Sequence, residues 1–445
     1  MSCPRGKAQG RWKSKWPGAL ARTVLLATVV LSVGGACFGD DKPGSTARQS
    51  GWLESLTQRD TLTDDWFGLG EKFAEEGVTV SLGLTQIYQL NLTGGLATHR
   101  HAGRYTGSYD LEGEFDLEKL LKLPGGRIYA HAEGSWSEGL DASSIGSVLG
   151  GVNGDAAADR SIDLTELWYQ QSLFDGRFRF RIGKMDLTGG FECHGCPVAF
   201  DGNAFANDEA GQFLNAALVN NPTIPFPDKG LGLAVYAEPT HWWYAAAAVA
   251  DAQADARETG FNTTFHQEDY LFSIFETGFT PALPSRNGPL QGAYRIGFWY
   301  DPQDKDRHSG SIKRDDMGIY LSFDQTVLKE NTDAEDPQGL GLFARWGWAD
   351  KSVSEVKCFW SVGAQYQGLI PTRDDDVLGL GVAQGRLVRD AGFTADRETV
   401  MEIYYGIQVT PWFSVAPSVQ YIFNPGGDAA VDDALVVGIR TQIDF

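Results

Sequence analysis

Long apolar runs are missing from the sequence after residue 36. The chain has 445 residues, and a transmembrane helix needs about 20 consecutive apolar ones. The run TVLLATVVLSV at residues 23–33 is too short to span a bilayer. Any membrane-embedded part must therefore be a closed β-barrel, because a barrel is the other structure that satisfies every backbone group in lipid.

Positive charge is also scarce. Lys and Arg number 37 against 58 Asp and Glu, a net charge of −21. Removal of the first 36 residues, which hold six basic and no acidic side chains, would leave 31 against 58, or −27. A chain of this charge is not expected to bind nucleic acid, because such binding depends on basic side chains that neutralise phosphates.

Catalytic motifs are absent as well. The sequence has no G-x-S-x-G, H-E-x-x-H or G-x-x-x-x-G-K-[ST] pattern, and these carry the chemistry of common hydrolases and nucleotide-binding enzymes. We therefore expect neither an enzyme nor a bound cofactor. Paired acids for sugar hydrolysis stay an open alternative, since acidic residues are so numerous.

Cysteine is sparse, with five in the chain. Cys193 and Cys196 stand in the stretch CHGC. An exported protein favours a disulfide between them or two free thiols. A redox or metal role is the alternative, although a structural zinc site needs four ligands and only His194 is near.

The first 36 residues have the pattern of a secretory signal peptide. Six basic residues precede the apolar run, and VGGAC offers a small-residue cleavage site after Ala36; acylation of Cys37 is the alternative. Residues 37–61 are polar and are predicted to be a linker. Residues 64–76 are predicted to form a short amphipathic helix, with Asp64 or Asp65 as its cap and Gly77 as its end.

From residue 78 onward the chain alternates apolar and polar residues in at least thirteen short runs. Clusters of Gly, Pro, Asp and Asn separate them, and 54 glycines suit tight turns. The fold class predicted is all-β. One continuous series of this kind favours a transmembrane antiparallel β-barrel over residues 62–445; a soluble β-sandwich is the alternative.

The two faces of one predicted hairpin differ sharply. In RFRFRIGKM, Phe178 and Ile182 share a face, while Arg179 and Arg181 lie on the other. Arginines in a row cannot face lipid or a dry core, so this face should line water. The preceding strand places Glu166 and Trp168 on the same side.

The next strands upstream extend this polar face. YDLEGEFDLEK places Glu114 within a row of acids, and RIYAHAEG adds His131 and Glu133. Charged hydrogen-bonding groups beside an aromatic ring suit sugars, because hydrogen bonds to ionised groups are the stronger ones. We expect small sugars as the ligands. Cations or amino sugars are the alternative ligands, because the chain is so negative.

Several blocks of sequence, in order, resemble one known family. They include LTDDWFGLGEKFAEEGVTV, GRYTGSYDLEGEFDLEKLLKLPGGRIY, LTELWYQQSLFDGRFRFRIGKMD, YRIGFWY, GLIPTRDDDVLGLGVA and EIYYGIQVTPWFSVAPSVQYIFNPGG. Together they are similar to the carbohydrate-selective porins of the OprB family, from about Leu62 to Phe445. The stretch FECHGCPVAFDG departs from the family pattern.

This resemblance implies a barrel of about 16 strands in the outer membrane of a Gram-negative-type bacterium, which passes glucose and other small sugars passively. It implies that Glu166, Trp168, Arg179 and Arg181 line a constriction, with Glu114, His131 and Glu133 as further candidates. Expected partners are small sugars, outer-membrane lipid, the barrel-assembly machinery through the terminal Phe445, and in one alternative a second copy of the chain. The competing interpretation is an exported soluble carbohydrate-binding protein or glycosidase.

Overall fold

The computed structural model describes residues 56–99, 102–155, 160–188, 200–258, 262–264, 269–333 and 336–445. The predicted signal peptide, residues 1–36, lies outside the described residues. So do most of the predicted linker at 37–61 and both Cys193 and Cys196. Cys358 is a free thiol.

Sixteen long strands in the described part of the chain form one antiparallel barrel. They run Val78–Thr93 (β1), Gly103–Asp116 (β2), Gly126–Trp136 (β3), Arg160–Leu173 (β4), Phe178–Met185 (β5), Gly230–Thr240 (β6), Trp243–Asp251 (β7), Leu271–Phe279 (β8), Leu290–Asp301 (β9), Asp316–Lys329 (β10), Gly339–Ala349 (β11), Val356–Gln367 (β12), Val377–Leu387 (β13), Arg397–Thr410 (β14), Phe413–Phe423 (β15) and Ala434–Asp444 (β16). The predicted all-β transmembrane barrel is confirmed.

The barrel closes between its last strand and its first. Antiparallel pairing joins β16 to β1 from Gly83, opposite Asp444, to Thr93, opposite Leu435. The backbone N–H of Phe445 donates to Leu82 O at 3.0 Å. Among the described strands, closure leaves no unpaired edge in the barrel wall, which is the condition for a sheet in lipid. The first residues of β1, from Val78 onward, pair with β2, and the pairing with β16 begins at Gly83.

Short elements flank the barrel strands. The helical ones are Asp64–Gly68 (α1), Gly70–Glu76 (α2), Leu117–Leu121 (α3) and Ala216–Val219 (α4), with a π-turn at Asp141–Ile145 and 3₁₀ turns at Arg389–Ala391 and Pro425–Gly427. Two-residue strands lie at Ala282–Leu283, Lys305–Asp306 and Ile312–Lys313. Within the described residues, no helix has both the length and the apolar character to cross a membrane.

The helix predicted at 64–76 is shorter and is divided at Leu69. Asp65 and its two successors have φ of 53°, 54° and 62°, so α1 is a left-handed turn and only α2 is right-handed. The Asp65 carboxylate accepts from the backbone N–H of Glu71 at 2.6 Å, as a cap does. Gly77 ends α2 with φ of 97°, a conformation that favours glycine.

Side chains alternate between the two surfaces of the barrel wall. On β4, Leu167 is 47% exposed and the adjacent Trp168 only 2%; on β5, Ile182 is exposed and Arg181 is buried. Large apolar side chains remain exposed around the outer surface, among them Phe275, Phe298, Leu342, Leu380, Ile403, Val419 and Ile439. An outward apolar band with polar groups inside is the pattern of an outer-membrane barrel.

Candidate functional site

The predicted constriction residues on β4 and β5 lie where the alternation placed them. Glu166, Trp168, Arg179 and Arg181 all point into the barrel and are all buried. Because they are buried, other side chains and loops of the barrel interior cover them. Their role in selecting a solute stays a prediction.

Trp168 is covered on its ring surfaces by two neighbours. Tyr129 stacks on it with ring centroids 4.9 Å apart, and the guanidinium carbon of Arg181 lies 3.9 Å from its ring centroid. Opposite it on β5 is Gly183, where a Cβ would lie 2.7 Å from Trp168 Cα. The close fit leaves no large free aromatic face, so Trp168 supports the wall and orients Arg181 through a cation–π contact.

Glu166 and Arg179 are held by hydrogen bonds within the same wall. The Glu166 carboxylate accepts from Trp168 Nε1 at 3.1 Å and from the backbone N–H of Asp186 at 2.9 Å. Arg179 forms an ion pair with Glu238 on β6. Buried charges are tolerated when they are paired and hydrogen-bonded in this way.

A cavity of about 1250 Å³ lies inside the barrel. It lies against β1, β2, β3 and β16, and Phe445 is part of its wall. We call it the acidic cavity because nine carboxylates and one lysine line it among the described residues: Asp110, Glu112, Glu114, Glu133, Asp155, Asp208, Glu209, Asp228, Asp444 and Lys229. Ser, Thr, Asn and Gln side chains complete the wall, so the surface is rich in hydrogen-bonding groups.

The three further candidates cluster around this cavity. Glu114 and Glu133 are in its wall. Glu114 pairs with Arg127 at 3.2 Å, and Glu133 with Lys229 at 2.6 Å. His131 lies directly beside it, with Nε2 at 3.0 Å from Asp110 Oδ1. The acid row ends at Glu114, because Asp116 caps α3 instead.

Two loop segments occupy much of the remaining interior. Residues 137–155 form the first inserted segment and residues 200–229 the second. The backbone oxygen of Val152 accepts from Gln89 on β1 and Gln420 on β15, at 2.7 and 2.9 Å. These partners on two strands place the first segment inside the barrel.

Buried acidic side chains on β14 hold both inserted segments. Glu402 accepts from the backbone N–H groups of Leu214 and Asn215, at 3.0 and 2.8 Å. Glu398 accepts from the backbone N–H of Val148 at 3.1 Å. A carboxylate satisfies two N–H donors at once, and hydrogen bonds to an ionised acceptor are the stronger ones.

Inward-facing arginines complete the attachment of the second segment. Arg345 on β11 donates to the backbone oxygens of Asp201 and Leu218, each at 3.1 Å. Arg440 on β16 donates to the backbone oxygens of Glu209 and Gln212, at 2.6 and 2.9 Å. These side chains therefore attach the second segment to the inner wall at β11 and β16.

Apolar packing supplies the rest of the attachment. From the inserted segments, Leu149, Phe213 and Leu218 are buried with inward residues of the far wall, which include Phe343, Phe359, Tyr404 and Ile422. The ring of Phe213 meets Tyr404 edge-on at 5.1 Å. Part of the inner wall is therefore apolar, and the segments cover it.

Burial perturbs two acids of the inserted segments that line the cavity. It raises the pKa of Asp155 to about 7, despite a hydrogen bond from Ser108. It likewise raises the pKa of Glu209 to about 7, with nearby acids adding to the shift. Both carboxyls therefore change charge near neutral pH.

The anchoring residues were not identified from the sequence. A signal was available for Glu402 and Arg345, since both have the parity of inward positions within TVMEIYY and LFARWGW. This parity predicts only that each side chain lies on the inward face of its strand. Their partners lie in loops that are more than 120 residues distant, which no periodicity encodes.

Comparison with known proteins places these features in a family. A family model described as "Carbohydrate-selective porin, OprB family" matches residues 100–445. Porin B of Pseudomonas aeruginosa is 26% identical, with 98% of this chain and 100% of that protein covered. The putative porin QuiX of Acinetobacter baylyi is 23% identical, with 87% of this chain and 93% of that protein covered.

The fold has a similar solved structure. The high-pH structure of Pseudomonas putida OprB superposes with a TM-score of 0.75 at 24% identity, over 87% of this chain and 99% of that one. At this identity the likeness concerns the fold, and it agrees with the closed barrel described above.

Proposed function

Because this chain belongs to the OprB family of carbohydrate-selective porins, we propose that small sugars cross the outer membrane through its barrel by way of the acidic cavity. The family and the barrel fold make the protein a passive channel rather than an enzyme. The assignment of individual cavity residues to contacts with sugar is part of our proposal.

The observation that carries this proposal is the composition of the cavity wall. At about 1250 Å³ it exceeds the ~300–1,000 Å³ of pockets that hold drug-sized ligands, so a hexose can enter with part of its water shell. Carboxylates alternate along β2 at Asp110, Glu112 and Glu114. Acceptors spaced along one strand can take sugar hydroxyls in succession, and weak binding at several sites permits release.

The same geometry supports the constriction assignment, which is part of the proposal. Glu166, Trp168, Arg179 and Arg181 lie on the strands next to the cavity wall, and Trp168 belongs to the same buried cluster as Phe200 and Ile224 of the second inserted segment. We assign these four residues to positioning and to charge balance, and Glu114 and Glu133 to direct contact with sugar. His131 lies between the two groups.

A planar bilayer experiment tests the sugar proposal. Purified protein should give conductance steps that decrease as glucose is added. Glu114→Ala should raise the half-blocking glucose concentration about tenfold, the equivalent of one charge-assisted hydrogen bond of ~1.5 kcal/mol. Glu118→Ala, on the exposed turn α3, is the matched control and should change nothing. Block that is equally strong in both variants would reject the contact assignment.

The domain organisation and further partners form part of the proposal. Residues 1–36 act as the signal peptide, residues 37–61 as a linker, and residues 62–445 as the barrel domain. The barrel-assembly machinery recognises the terminal strand through Phe445, and assembly into a homo-oligomer is compatible with the exposed apolar outer surface. Mass spectrometry of the mature protein would locate the cleavage site, and cleavage elsewhere than after Ala36 would reject the first assignment.

The soluble alternative is not favoured. A carbohydrate-binding protein or glycosidase in solution would not expose an apolar band such as that of Leu167, Ile182 and Phe275. Fractionation provides the direct comparison. The porin should stay with the membranes through a carbonate wash, whereas a soluble protein would be released.

A further inference from the structure

We propose that Asp110, His131 and Glu133 form a binding site for a first-row divalent cation such as Zn²⁺ inside the barrel. Among the described residues, one potential ligand atom from each of these side chains lies within 4.8 Å of the other two. Two carboxylates and an imidazole are a ligand set that suits zinc, which takes His nitrogen and Asp or Glu oxygen at about 2.0–2.2 Å.

The strand pairing brings the three ligands together. His131 and Glu133 are two residues apart on β3 and so share its inward face. Asp110 is directly opposite Glu133 in the β2–β3 register. His131 Nε2 already lies 3.0 Å from Asp110 Oδ1. Atoms this close need little movement to become neighbours in a tetrahedral site.

Groups on β4 orient the imidazole from behind. A bulge in the β3–β4 pairing interrupts the register beside His131, and both Thr165 and Glu166 are buried there. Thr165 Oγ1 lies 3.3 Å from His131 Nδ1, and Glu166 Oε1 lies 3.9 Å from it. Without a metal, the Asp110 carboxylate at 3.0 Å accepts a hydrogen bond from Nε2. A metal that binds Asp110 and Nε2 would displace that proton, while the hydroxyl and carboxylate at Nδ1 hold a proton on the other nitrogen. A carboxylate behind a metal-bound histidine is a recurrent arrangement in zinc proteins.

The surrounding charge also favours a cation. Glu112 and Asp228 line the same cavity, and Asp186 lies 3.9 Å from Lys229 Nζ. Lys229 Nζ itself contacts Glu133 Oε2 at 2.6 Å. It is the internal competitor for the site, because its ammonium group occupies one of the carboxylates that the metal would use. Asp186 remains near as a second partner for Lys229 when a metal takes Glu133.

The site is accessible from the acidic cavity, and an ion bound there would change the passage. Asp110 and Glu133 line the acidic cavity, so an ion can arrive through the same space that we assign to sugars. A divalent ion there would add positive charge to the wall and narrow the passage. Zinc binding itself does not depend on sugar transport, so the two proposals can fail separately.

Calorimetry with ZnCl₂ and a metal-free preparation of the full chain, free of any polyhistidine tag, tests the site. We expect one Zn²⁺ per chain. His131→Gln and Glu133→Gln should each weaken binding at least about tenfold, since each removes a ligand. His241→Gln, which removes an exposed histidine in the β6–β7 turn, and Glu114→Gln are the matched controls and should bind as the parent does. Equal affinity in His131→Gln and the parent would overturn the proposal.

Two further measurements distinguish a specific zinc site from nonspecific attraction of cations to the acidic side chains. CaCl₂ and MgCl₂ should fail to displace Zn²⁺, because a histidine-containing site prefers the later transition metals; displacement at equal concentration would overturn the proposal. Lys229→Met should tighten zinc binding several-fold by removing the competing ammonium. Weaker binding in that variant would also overturn it. Folding of every variant is checked by its heat-modifiable electrophoretic mobility.

Discussion

The carboxylate of Glu402 lies 2.8 Å from the backbone nitrogen of Asn215, so a buried acid of the barrel wall holds a loop inside the lumen. The same carboxylate accepts from Leu214 at 3.0 Å. The width of the passage therefore depends on side chains that need not touch the solute.

Glu402→Gln should loosen the second inserted segment. The glutamine side chain has one acceptor oxygen for the two backbone N–H donors of Leu214 and Asn215. Its NH₂ group would face the second donor and cannot accept from it. Leaving one buried donor unsatisfied costs about 1–3 kcal/mol. We expect lower stability by that amount in chemical unfolding, together with larger and noisier single-channel conductance. Glu118→Gln on exposed α3 is the matched control. A variant with unaltered conductance would show that the segment does not limit the passage.

Removal of Arg179 and Arg181 should make the channel more selective for cations. Both arginines are buried in the wall among acids, and their loss leaves Glu238 and Glu166 without the nearby positive charge. The reversal potential in a KCl gradient measures the change. Arg386→Ala is the control, because this arginine lies half-exposed and pairs with Asp396. An unchanged reversal potential in the double variant would contradict the lumen assignment.

Trp168→Ala should destabilise the barrel without abolishing sugar block. The ring is 2% exposed and packs between Tyr129 and Arg181. Truncation of a buried Trp costs about 3–5 kcal/mol, measurable by unfolding in denaturant. Trp168→Phe should recover part of this loss. If glucose block disappears in Trp168→Phe while the fold is retained, the indole contacts sugar directly and the supporting role is wrong.

Ion selectivity should change with pH around neutrality. Burial raises the pKa values of Asp155 and Glu209 to about 7 each, so both are neutral well below pH 7 and negative above it. Cation preference should therefore increase as pH rises through about 7. Reversal potentials at several pH values measure this, and the profile of Asp155→Asn with Glu209→Gln should be flatter.

The same two acids, Asp155 and Glu209, also make stability depend on pH. Their contribution to the free energy of unfolding decreases as pH rises, whereas cation preference increases. Their folded pKa values exceed the usual values of 3.8 and 4.5, so the folded state binds more protons than the unfolded state in between. Their contribution to stability is present below pH 4 and is lost as pH rises towards 7. Asp350→Asn is the control for the pH profile. Although burial opposes it, the hydrogen bond with Lys313 lowers the pKa of Asp350 to about 2, and it stays charged throughout.

Much of the barrel could be predicted from the sequence because lipid and water impose a two-residue period. The alternation of Arg181 and Ile182 gave the correct faces of β5. That period carries no information about depth within the lumen. Trp168 was correctly placed inside, yet its burial depends on Tyr129 and Arg181, which come from two other strands.

The contents of the lumen could not be predicted in the same way. Phe343 and Tyr404 place aromatic rings on the inward face, where an outer-membrane barrel generally carries polar side chains. Their partners, such as Phe213, stand in a loop of mixed composition. Only the three-dimensional path of that loop turns the inward aromatic residues into a packed core.

The anchors of the second inserted segment come late in the chain. Glu402 follows Leu214 by 188 residues, and Arg440 follows Gln212 by 228. A nascent barrel that lacks β14 and β16 has neither partner, and contacts of such long sequence separation form slowly. The second inserted segment is therefore fixed only when β14 and β16 have joined the sheet, so the sieving of solutes is acquired at the last step of assembly, together with closure of the barrel.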